Sequence, residues 1–220
     1  VILMIEICAM TRRLVVKPLM QYGESIQKDE IFPVVGAAEL QDLALTYNEV
    51  YRENQETQKR IHHEAEHDVL TDTLNRGSFE KILNIYENGE TPFAMIICDV
   101  DIFKHVNDTY GHAVGDQILK KVASLLQTTF RSINYVCRIG GDEFAVIMVD
   151  VSQEPDYTVR DKITTINDQL SCPTDDLPAV SLSVGVAFTE RANPGESIFK
   201  DADKELYHVK QNGKHGCGFY

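Results

Sequence analysis

The sequence lacks an excess of positive charge and any C-x-x-C pair of cysteines, and each absence argues against a class of protein. Its 220 residues carry a formal net charge of −13, whereas general nucleic-acid binders need basic faces to displace counterions from phosphates. The five cysteines are odd in number and form no C-x-x-C pair, which argues against a disulfide framework or a cysteine zinc site. We therefore expect a protein of a reducing cytosol with no nucleic-acid partner.

The amino-terminal stretch from Val1 to Met10 is almost wholly apolar and is followed by the basic residues Arg12, Arg13 and Lys17. It is too short to cross a bilayer, which takes about 20 residues. Basic residues beyond an apolar segment favour the cytoplasmic side. Residues 1–16 therefore predict the end of a transmembrane helix and its basic juxtamembrane stretch, with a sensor domain upstream. A short buried helix or leftover vector sequence is the alternative.

An apolar stripe with alternating steps of three and four residues follows. Its positions are Leu40, Leu43, Tyr47, Val50, Asn54, Thr57 and Ile61. Such a heptad seam is typical of a coiled coil, and the polar Asn54 and Thr57 would weaken it but could fix its register. We predict a signalling helix over residues 51–67. One amphipathic helix lying on its own domain is the alternative.

Residues 17–50 resemble a HAMP linker, whose two short helices carry a signal from a membrane helix into a coiled coil. The resemblance rests on Lys17-Pro18-Leu19 and on the run from Val35 to Asn48. It implies a location at the cytoplasmic side of a bacterial cell membrane, although the residues present here would be soluble.

From Asp68 onward, short apolar strands alternate with amphipathic helices. The expected strands are Phe93–Cys98, Tyr135–Ile139, Phe144–Val149 and Val180–Phe188, and the expected helices begin at Gly115 and cover Ile198–Gln211. The segment from Gly140 to Glu143 between two of these strands predicts a hairpin. The apolar share of 43% is enough for a core, so one folded domain with an appendage is expected.

One motif points to a different chemistry. His63-Glu64-Ala65-Glu66-His67 matches the H-E-x-x-H pattern of zinc proteases. It lies in a polar stretch at the end of the heptad helix, without apolar flanks that could bury a cleft and without a clear third ligand. A solvated helix face explains the pattern better than a protease does.

Three segments contain residue types that could bind a nucleoside triphosphate and its divalent cations. Asp99-Val100-Asp101 lies where an apolar strand ends, which is a usual place for ligands in sheet proteins. Gly140 and Gly141 let a hairpin approach a bulky substrate, while Asp142 and Glu143 bring oxygens to a metal. Lys104, Lys210 and Lys214 supply local positive charge. Each piece alone has a plain explanation as a turn, a helix cap or a solvated lysine.

Taken together and in order, these segments resemble the GGDEF family of diguanylate cyclases from Asp68 to Gly216. The matching segments are Asp68-Val69-Leu70-Thr71 through Asn75-Arg76, Asp99 through Lys104, Asn107-Asp108, Tyr110-Gly111-His112, Gly115-Asp116, Arg138 through Phe144, Asp203 through Tyr207, Lys210 and Gly213-Lys214. The resemblance implies an α/β (α+β) palm-like domain over residues 68–220, with a central, mostly antiparallel sheet flanked by helices. A helical or coiled-coil segment would precede it.

The resemblance also implies roles for individual residues. Asp99, the backbone carbonyl of Val100 and Asp142 would bind two Mg²⁺ (or Mn²⁺) ions, with Glu143 beside them, and Asp142 or Glu143 would deprotonate a 3′-hydroxyl. Asn107 and Asp116 would bind guanine, with His112 close to the base or the sugar. Lys104 would stabilise the transition state, aided by the backbone N–H groups of Ile102 and Phe103. Lys210 and Lys214 would bind the outer phosphates. An Asp and an Asn complement the donors and acceptors of guanine.

The reaction implied is the condensation of two GTP molecules into cyclic di-GMP with release of pyrophosphate. Because each domain binds one GTP, two domains must face each other in a homodimer, which the heptad helix would align. A catalytically inactive GGDEF domain that binds nucleotide as a regulator, and a cyclase that makes cyclic AMP, are the alternatives.

One position departs from the family pattern. Many members carry an inhibitory product site, R-x-x-D, where this chain has Arg131-Ser132-Ile133-Asn134. An amide cannot accept from two N–H donors as a carboxylate does. The pattern therefore predicts weak or absent product inhibition through Arg131 and Asn134.

Overall fold

The computed structural model describes residues 1–130, 133–149, 151, 156–172 and 177–220. The chain separates into two compact units, Val1–Ala65 and Glu66–Tyr220. The helices of its amino-terminal part are α1 (Ile2–Thr11), a π-helical stretch (Arg12–Val16), α2 (Lys17–Lys28) and α3 (Ala38–Glu66). Every residue of α1 is exposed. Within the described residues, no helix combines the length and apolarity needed to cross a membrane.

Stacked aromatic rings form the small core of the first unit. The ring centroids of Tyr22 and Phe32 lie 4.5 Å apart, and those of Phe32 and Tyr47 lie 3.7 Å apart. The side-chain amide of Asn48 accepts from the Phe32 backbone N–H at 2.6 Å and donates to the Phe32 carbonyl at 2.8 Å. A buried polar side chain is stable only when it is paired in this way. The loop before α3 is therefore held against α3.

The predicted heptad stripe lies in two environments. Leu40 and Tyr47 pack against the aromatic core of their own unit. Leu43, Val50 and Ile61 are 50%, 57% and 58% exposed. Part of the stripe is thus half-buried against its own unit, and Leu43, Val50 and Ile61 form an open apolar line along α3.

The second unit is built on a five-stranded sheet. Its strands are β1 (Phe93–Val100), β2 (Tyr135–Arg138), β3 (Glu143–Val149), β4 (Leu182–Phe188) and β5 (Gly216–Phe219), in the order β2-β3-β1-β4-β5. The first three neighbouring pairs are antiparallel, and β4 and β5 are parallel. The expected α/β (α+β) architecture with a mostly antiparallel central sheet is confirmed.

Helices cover both faces of the sheet. They are α4 (Arg76–Glu87), α5 (Phe103–Tyr110), α6 (His112–Thr129), α7 (Asp156–Ser171) and α8 (Ile198–Gln211). Residues alternate between the two faces along β1, as the pleat requires. Ala94, Ile96 and Cys98 join the core beneath α6 and α7. Phe93, Met95 and Ile97 join the core beneath α4 and α8.

Several expected element bounds are corrected by one to three residues, and one strand was not expected. Helix α6 begins at His112 and not at Gly115, because Gly111, with φ of +86°, already separates it from α5. Strand β4 begins at Leu182, two residues after the expected Val180. Strand β5 is unexpected because its sequence, Gly-Cys-Gly-Phe, has no apolar run; it forms by pairing with β4.

Helix α8 packs directly on the backbone of β4 at Gly185. A Cβ at Gly185 would overlap the carbonyl oxygen of Ala202 and the amide nitrogen of Leu206. These are backbone atoms, which cannot rotate away as a side chain can. The close approach sets the height of α8 above the sheet, and α8 carries Lys210 in its last turn.

We expect Gly185→Ala to lower the free energy of unfolding by about 3 kcal/mol and the Tm by roughly 10 °C, because α8 must move off the sheet. Gly141→Ala is the matched control, since no described heavy atom lies within 4 Å of the added Cβ. Its Tm should stay within about 2 °C of the wild type. Calorimetry of both variants measures this, and an unchanged Tm for Gly185→Ala would contradict the packing.

Candidate active site

Acidic side chains from two neighbouring strands meet at one edge of the sheet. Asp99, near the end of β1, lies directly opposite Glu143 at the start of β3. The backbone N–H of Val100 donates to the carbonyl of Asp142 at 3.1 Å. The antiparallel register therefore sets Asp99 opposite Glu143 and places Asp142 close enough for its charge to act on Asp99.

The surroundings of Asp99 disfavour the negative charge of its carboxylate. Burial raises the pKa of the Asp99 carboxyl above its ordinary value, and the nearby charges of Asp142 and Glu143 raise that pKa further. The ammonium group of Lys210 acts in the opposite direction, with its Nζ 2.6 Å from Asp99 Oδ2. An additional cation would therefore be stabilised here.

The hairpin turn depends on its two glycines in different ways. A Cβ at Gly140 would lie 2.7 Å from Glu143 Oε2, so the Glu143 side chain folds over Gly140. At Gly141 no described heavy atom lies within 4 Å of a built Cβ. A side chain at Gly140 would displace the Glu143 carboxylate from this position, whereas Gly141 borders open space.

Arg138 ties the hairpin to the first residues of the second unit. Its Nη2 donates to the Gly141 carbonyl at 2.7 Å, and its Nη1 donates to Asp68 Oδ1 at 2.9 Å. Asp68 Oδ1 also accepts from the Thr71 N–H and hydroxyl at 2.9 and 2.7 Å. Burial alone would raise the pKa of Asp68, but these hydrogen bonds outweigh it and hold the pKa below its ordinary value. Arg138 and Asp68 belong to segments that resemble the family, but no local sequence pattern predicts that they pair.

The connection from β1 to α5 is strained at one residue. Ile102 has a φ of +57°, in the left-handed region, where a β-branched residue is rare and costs energy. This bend lets α5 begin at Phe103, three residues beyond the end of β1. The amino terminus of α5 is thereby placed beside the strand end that carries Asp99 and Val100.

Asn107 on α5 is pressed against Gly115 on α6. A Cβ at Gly115 would overlap Asn107 Oδ1. This oxygen is buried and has no hydrogen-bond partner among the described residues. A buried acceptor without a hydrogen-bond partner costs free energy. Asn107 is also a residue to which the family resemblance assigns recognition of the base. Gly115 is therefore required for the position of Asn107.

The other sequence-predicted residues lie on the same elements. Lys104, His112 and Asp116 are exposed on α5 and α6, and Lys214 is exposed beyond α8. The Lys214 N–H donates to the carbonyl of Val209 at 3.0 Å, which holds the turn after α8. The structure thus brings Lys210 to the carboxylates, while Lys104, His112 and Asp116 lie on the helices that follow β1.

Asp101 belongs to the scaffold. Its carboxylate is buried and accepts from the hydroxyls of Ser181 at 2.6 Å and Ser183 at 2.7 Å. It also accepts from the His215 N–H at 3.2 Å. Asp101 therefore fastens the end of β1 to β4 and to the turn after α8.

The carboxylates suit a divalent cation that arrives with its substrate. Carboxylate oxygens are the donors that Mg²⁺ and Mn²⁺ prefer. In the described part of the chain, no three His, Cys, Asp or Glu side chains are grouped to hold a metal ion, and this includes the H-E-x-x-H match. Mg²⁺ is commonly bound by one or two carboxylates, several waters and substrate phosphates. The donor set fits that arrangement better than a resident structural metal.

The expected product site is only partly within the described residues, because Arg131 and Ser132 lie outside them. Asn134 Oδ1 accepts from the backbone N–H of Val149 at 3.0 Å. The amide oxygen of Asn134 is therefore engaged with the end of β3.

Comparison with known proteins places these features in a family. A family profile described as "Diguanylate cyclase, GGDEF domain" matches residues 65–216. The chain is 35% identical to the diguanylate cyclase DosC of Escherichia coli over 158 residues, which are 69% of this chain and 34% of that protein. It is 30% identical to the diguanylate cyclase TpbB of Pseudomonas aeruginosa over 93% of this chain and 53% of that protein. The chain thus spans between a third and about half of the length of these relatives.

The fold is also similar to a solved structure. This is the coiled coil and GGDEF domain of DgcB from Caulobacter crescentus in complex with c-di-GMP, at a TM-score of 0.67 and 28% identity. The similarity covers 81% of this chain and 97% of that one.

We expect Asp68→Asn to lower the free energy of unfolding by about 2 kcal/mol at pH 7, because it removes a charged acceptor of three hydrogen bonds. Since the folded-state pKa of Asp68 is lowered, its contribution is present above the ordinary value of 3.8 and is lost as the pH falls through the lower folded value. The difference from wild type should therefore stay constant from pH 7 to about 5 and shrink below about pH 4.

Urea unfolding across this pH range is the measurement. Glu80→Gln is the control, because Glu80 makes an exposed ion pair with Arg76 and should cost under about 0.5 kcal/mol. A loss for Asp68→Asn no larger than for Glu80→Gln would show that the Arg138 link contributes nothing.

Proposed function

Because the chain belongs to the family of diguanylate cyclase GGDEF domains, we propose that it condenses two GTP molecules into cyclic di-GMP. The observation that carries this proposal is the meeting of Asp99, Asp142 and Glu143 at one sheet edge. Inactive family members usually lose acids from the hairpin or from the metal-binding strand, and here those acids are present. They also lie beside a lysine and a helix amino terminus.

In the proposed reaction, the 3′-oxygen of one GTP attacks the α-phosphorus of the other, the bond to the β-phosphate breaks and pyrophosphate leaves. The step occurs twice to close the ring. Asp142 or Glu143 accepts the proton of the attacking hydroxyl. Asp99, the Val100 carbonyl and Asp142 hold divalent cations, Mg²⁺ or Mn²⁺, which when bound neutralise the triphosphate and polarise its oxygens.

Lysine side chains and backbone N–H groups supply the remaining electrostatic stabilisation of the phosphates. Lys104 stabilises the transferring phosphoryl group together with the N–H groups of Ile102 and Phe103 at the start of α5. Lys210 and Lys214 bind the outer phosphates. Their positive charge is local, in a chain whose formal net charge is −13.

Guanine is bound between α5 and α6. Asp116 accepts from the N1–H and the exocyclic amine, and the amide of Asn107 pairs with the remaining edge. His112 lies near the base or the sugar. Adenine would leave these groups unpaired, which is why GTP is favoured over ATP.

Each domain supplies half of the active site, so the active form is a homodimer. The exposed Leu43, Val50 and Ile61 on α3 support this proposal, because they repeat at heptad spacing and an identical helix would bury them. The membrane-anchored residues 1–16, the HAMP-like linker over 17–50, the upstream sensor and the cytoplasmic-membrane location stay predictions.

Incubation of the chain with GTP and Mg²⁺ should produce cyclic di-GMP, identified by its mass. The rate per chain should rise with protein concentration, since a monomer holds half a site. Glu143→Gln should lower the rate by about 100-fold or more, and Glu80→Gln, an exposed change on α4, should leave it unaltered. Binding of GTP without any product would favour a nucleotide-binding regulator, and cyclic AMP from ATP would favour the other class of cyclase.

We further propose that product feedback through Arg131 and Asn134 is weak. The Asn134 amide oxygen already accepts from Val149, so it offers guanine one remaining lone pair and no negative charge. Added cyclic di-GMP should therefore inhibit the wild type and Arg131→Ala equally. Inhibition of the wild type that Arg131→Ala relieves would contradict this.

A further inference from the structure

Lys210 and a divalent cation have the same partner. The Lys210 Nζ lies 2.6 Å from Asp99 Oδ2, and the side chains of Lys210 and Asp99 are 33% and 13% exposed. Asp99 is also the carboxylate that the proposed function assigns to the cation. The ammonium group of Lys210 thus contacts Asp99 Oδ2, an oxygen that a divalent cation bound to Asp99 could use as a ligand.

An ammonium ion and a divalent cation cannot share this oxygen without cost. Their mutual repulsion at about 4 Å is strong in the partly buried setting of Asp99. Neutralisation of Asp99 by Lys210 also removes part of the negative charge that would attract a cation to an empty site. The ion pair therefore disfavours a cation that arrives alone.

Substrate phosphates change this balance. A lysine side chain is a flexible stem that can redirect its charge without backbone movement. Lys210 is in the last turn of α8, and α8 itself is held to β4 at Gly185. A triphosphate beside Asp99 offers Lys210 a new anionic partner, so Asp99 becomes available to the cation.

Resting on the proposed function, we propose that Lys210 is an exchangeable counter-ion that blocks Asp99 until the triphosphate draws it away. Cation and nucleotide binding are then positively coupled, because each favours the rotamer of Lys210 that the other needs. A lysine that held phosphates without an ion pair to Asp99 would leave the Asp99 oxygens open to a cation in the absence of nucleotide.

The test is Mn²⁺ binding to the nucleotide-free chain, measured from the EPR signal of free Mn²⁺. We expect Lys210→Met to bind Mn²⁺ about fivefold to tenfold more tightly than the wild type. Lys200→Met is the matched control. Lys200 is on the same helix, about 15 Å from Lys210, and pairs with the exposed Glu196. It should bind Mn²⁺ as the wild type does, and equal affinities for the Lys210→Met and Lys200→Met variants would overturn the proposal.

A second measurement examines the coupling. Calorimetric titration with 3′-deoxy-GTP, which lacks the attacking hydroxyl, gives nucleotide affinity with and without Mn²⁺. The gain from Mn²⁺ should be about fivefold smaller in Lys210→Met than in the wild type; an equal gain would overturn the coupling. A wild type that binds no nucleotide in either condition would sink the proposed function, while the nucleotide-free Mn²⁺ titration would still judge the role of Lys210.

Discussion

The facing of Asp99 and Glu143 across β1 and β3, with the charge of Asp142 close by, is the constraint on which the candidate site depends. The antiparallel register of β1 and β3 forces Asp99 to face Glu143 and brings Asp142 alongside. A chain with a formal net charge of −13 offers no general relief, so the charge has to be met locally. In this structure Lys210 meets it, and in the proposed reaction a divalent cation with its triphosphate takes over that role.

Several contacts outside the carboxylate cluster hold this edge in place. Arg138 links the hairpin to Asp68, two residues beyond the end of α3 at Glu66. Asp101 fastens the end of β1 to β4 through two serine hydroxyls. Gly185 lets α8 approach the sheet closely enough for Lys210 to reach Asp99. None of these contacts involves a residue with a chemical role in the proposed reaction apart from Lys210, yet together they determine where the reacting groups lie.

The parts of this structure that were predictable from sequence are those with a local signal. The apolar run of β1, the hairpin glycines and the amphipathic α8 each depend on neighbours within about ten residues along the chain, and α8 has the expected bounds. The bond between Arg138 and Asp68 joins residues 70 positions apart, and no periodicity marks such a pair. The fit of Asn107 against Gly115 and the pairing of β5 with β4 also arise only when the elements pack.

The heptad stripe shows the same limit. Periodicity identified one line of residues, but packing divides it between the core of the first unit, which takes Leu40 and Tyr47, and an open line at Leu43, Val50 and Ile61. A sequence pattern records that a face is apolar and does not record what covers it. In the proposed function an identical chain covers the open line, because each chain would supply half of an active site.

That requirement is tested most directly by mixing wild-type chains with Glu143→Gln chains at constant total concentration, after subunit exchange, and measuring cyclic di-GMP formed per unit time. If both half-sites must be intact, the rate should fall as the square of the wild-type fraction, so a half-and-half mixture keeps about a quarter of the activity. A rate that falls in simple proportion to the wild-type fraction would mean that each chain works alone, and it would contradict the account.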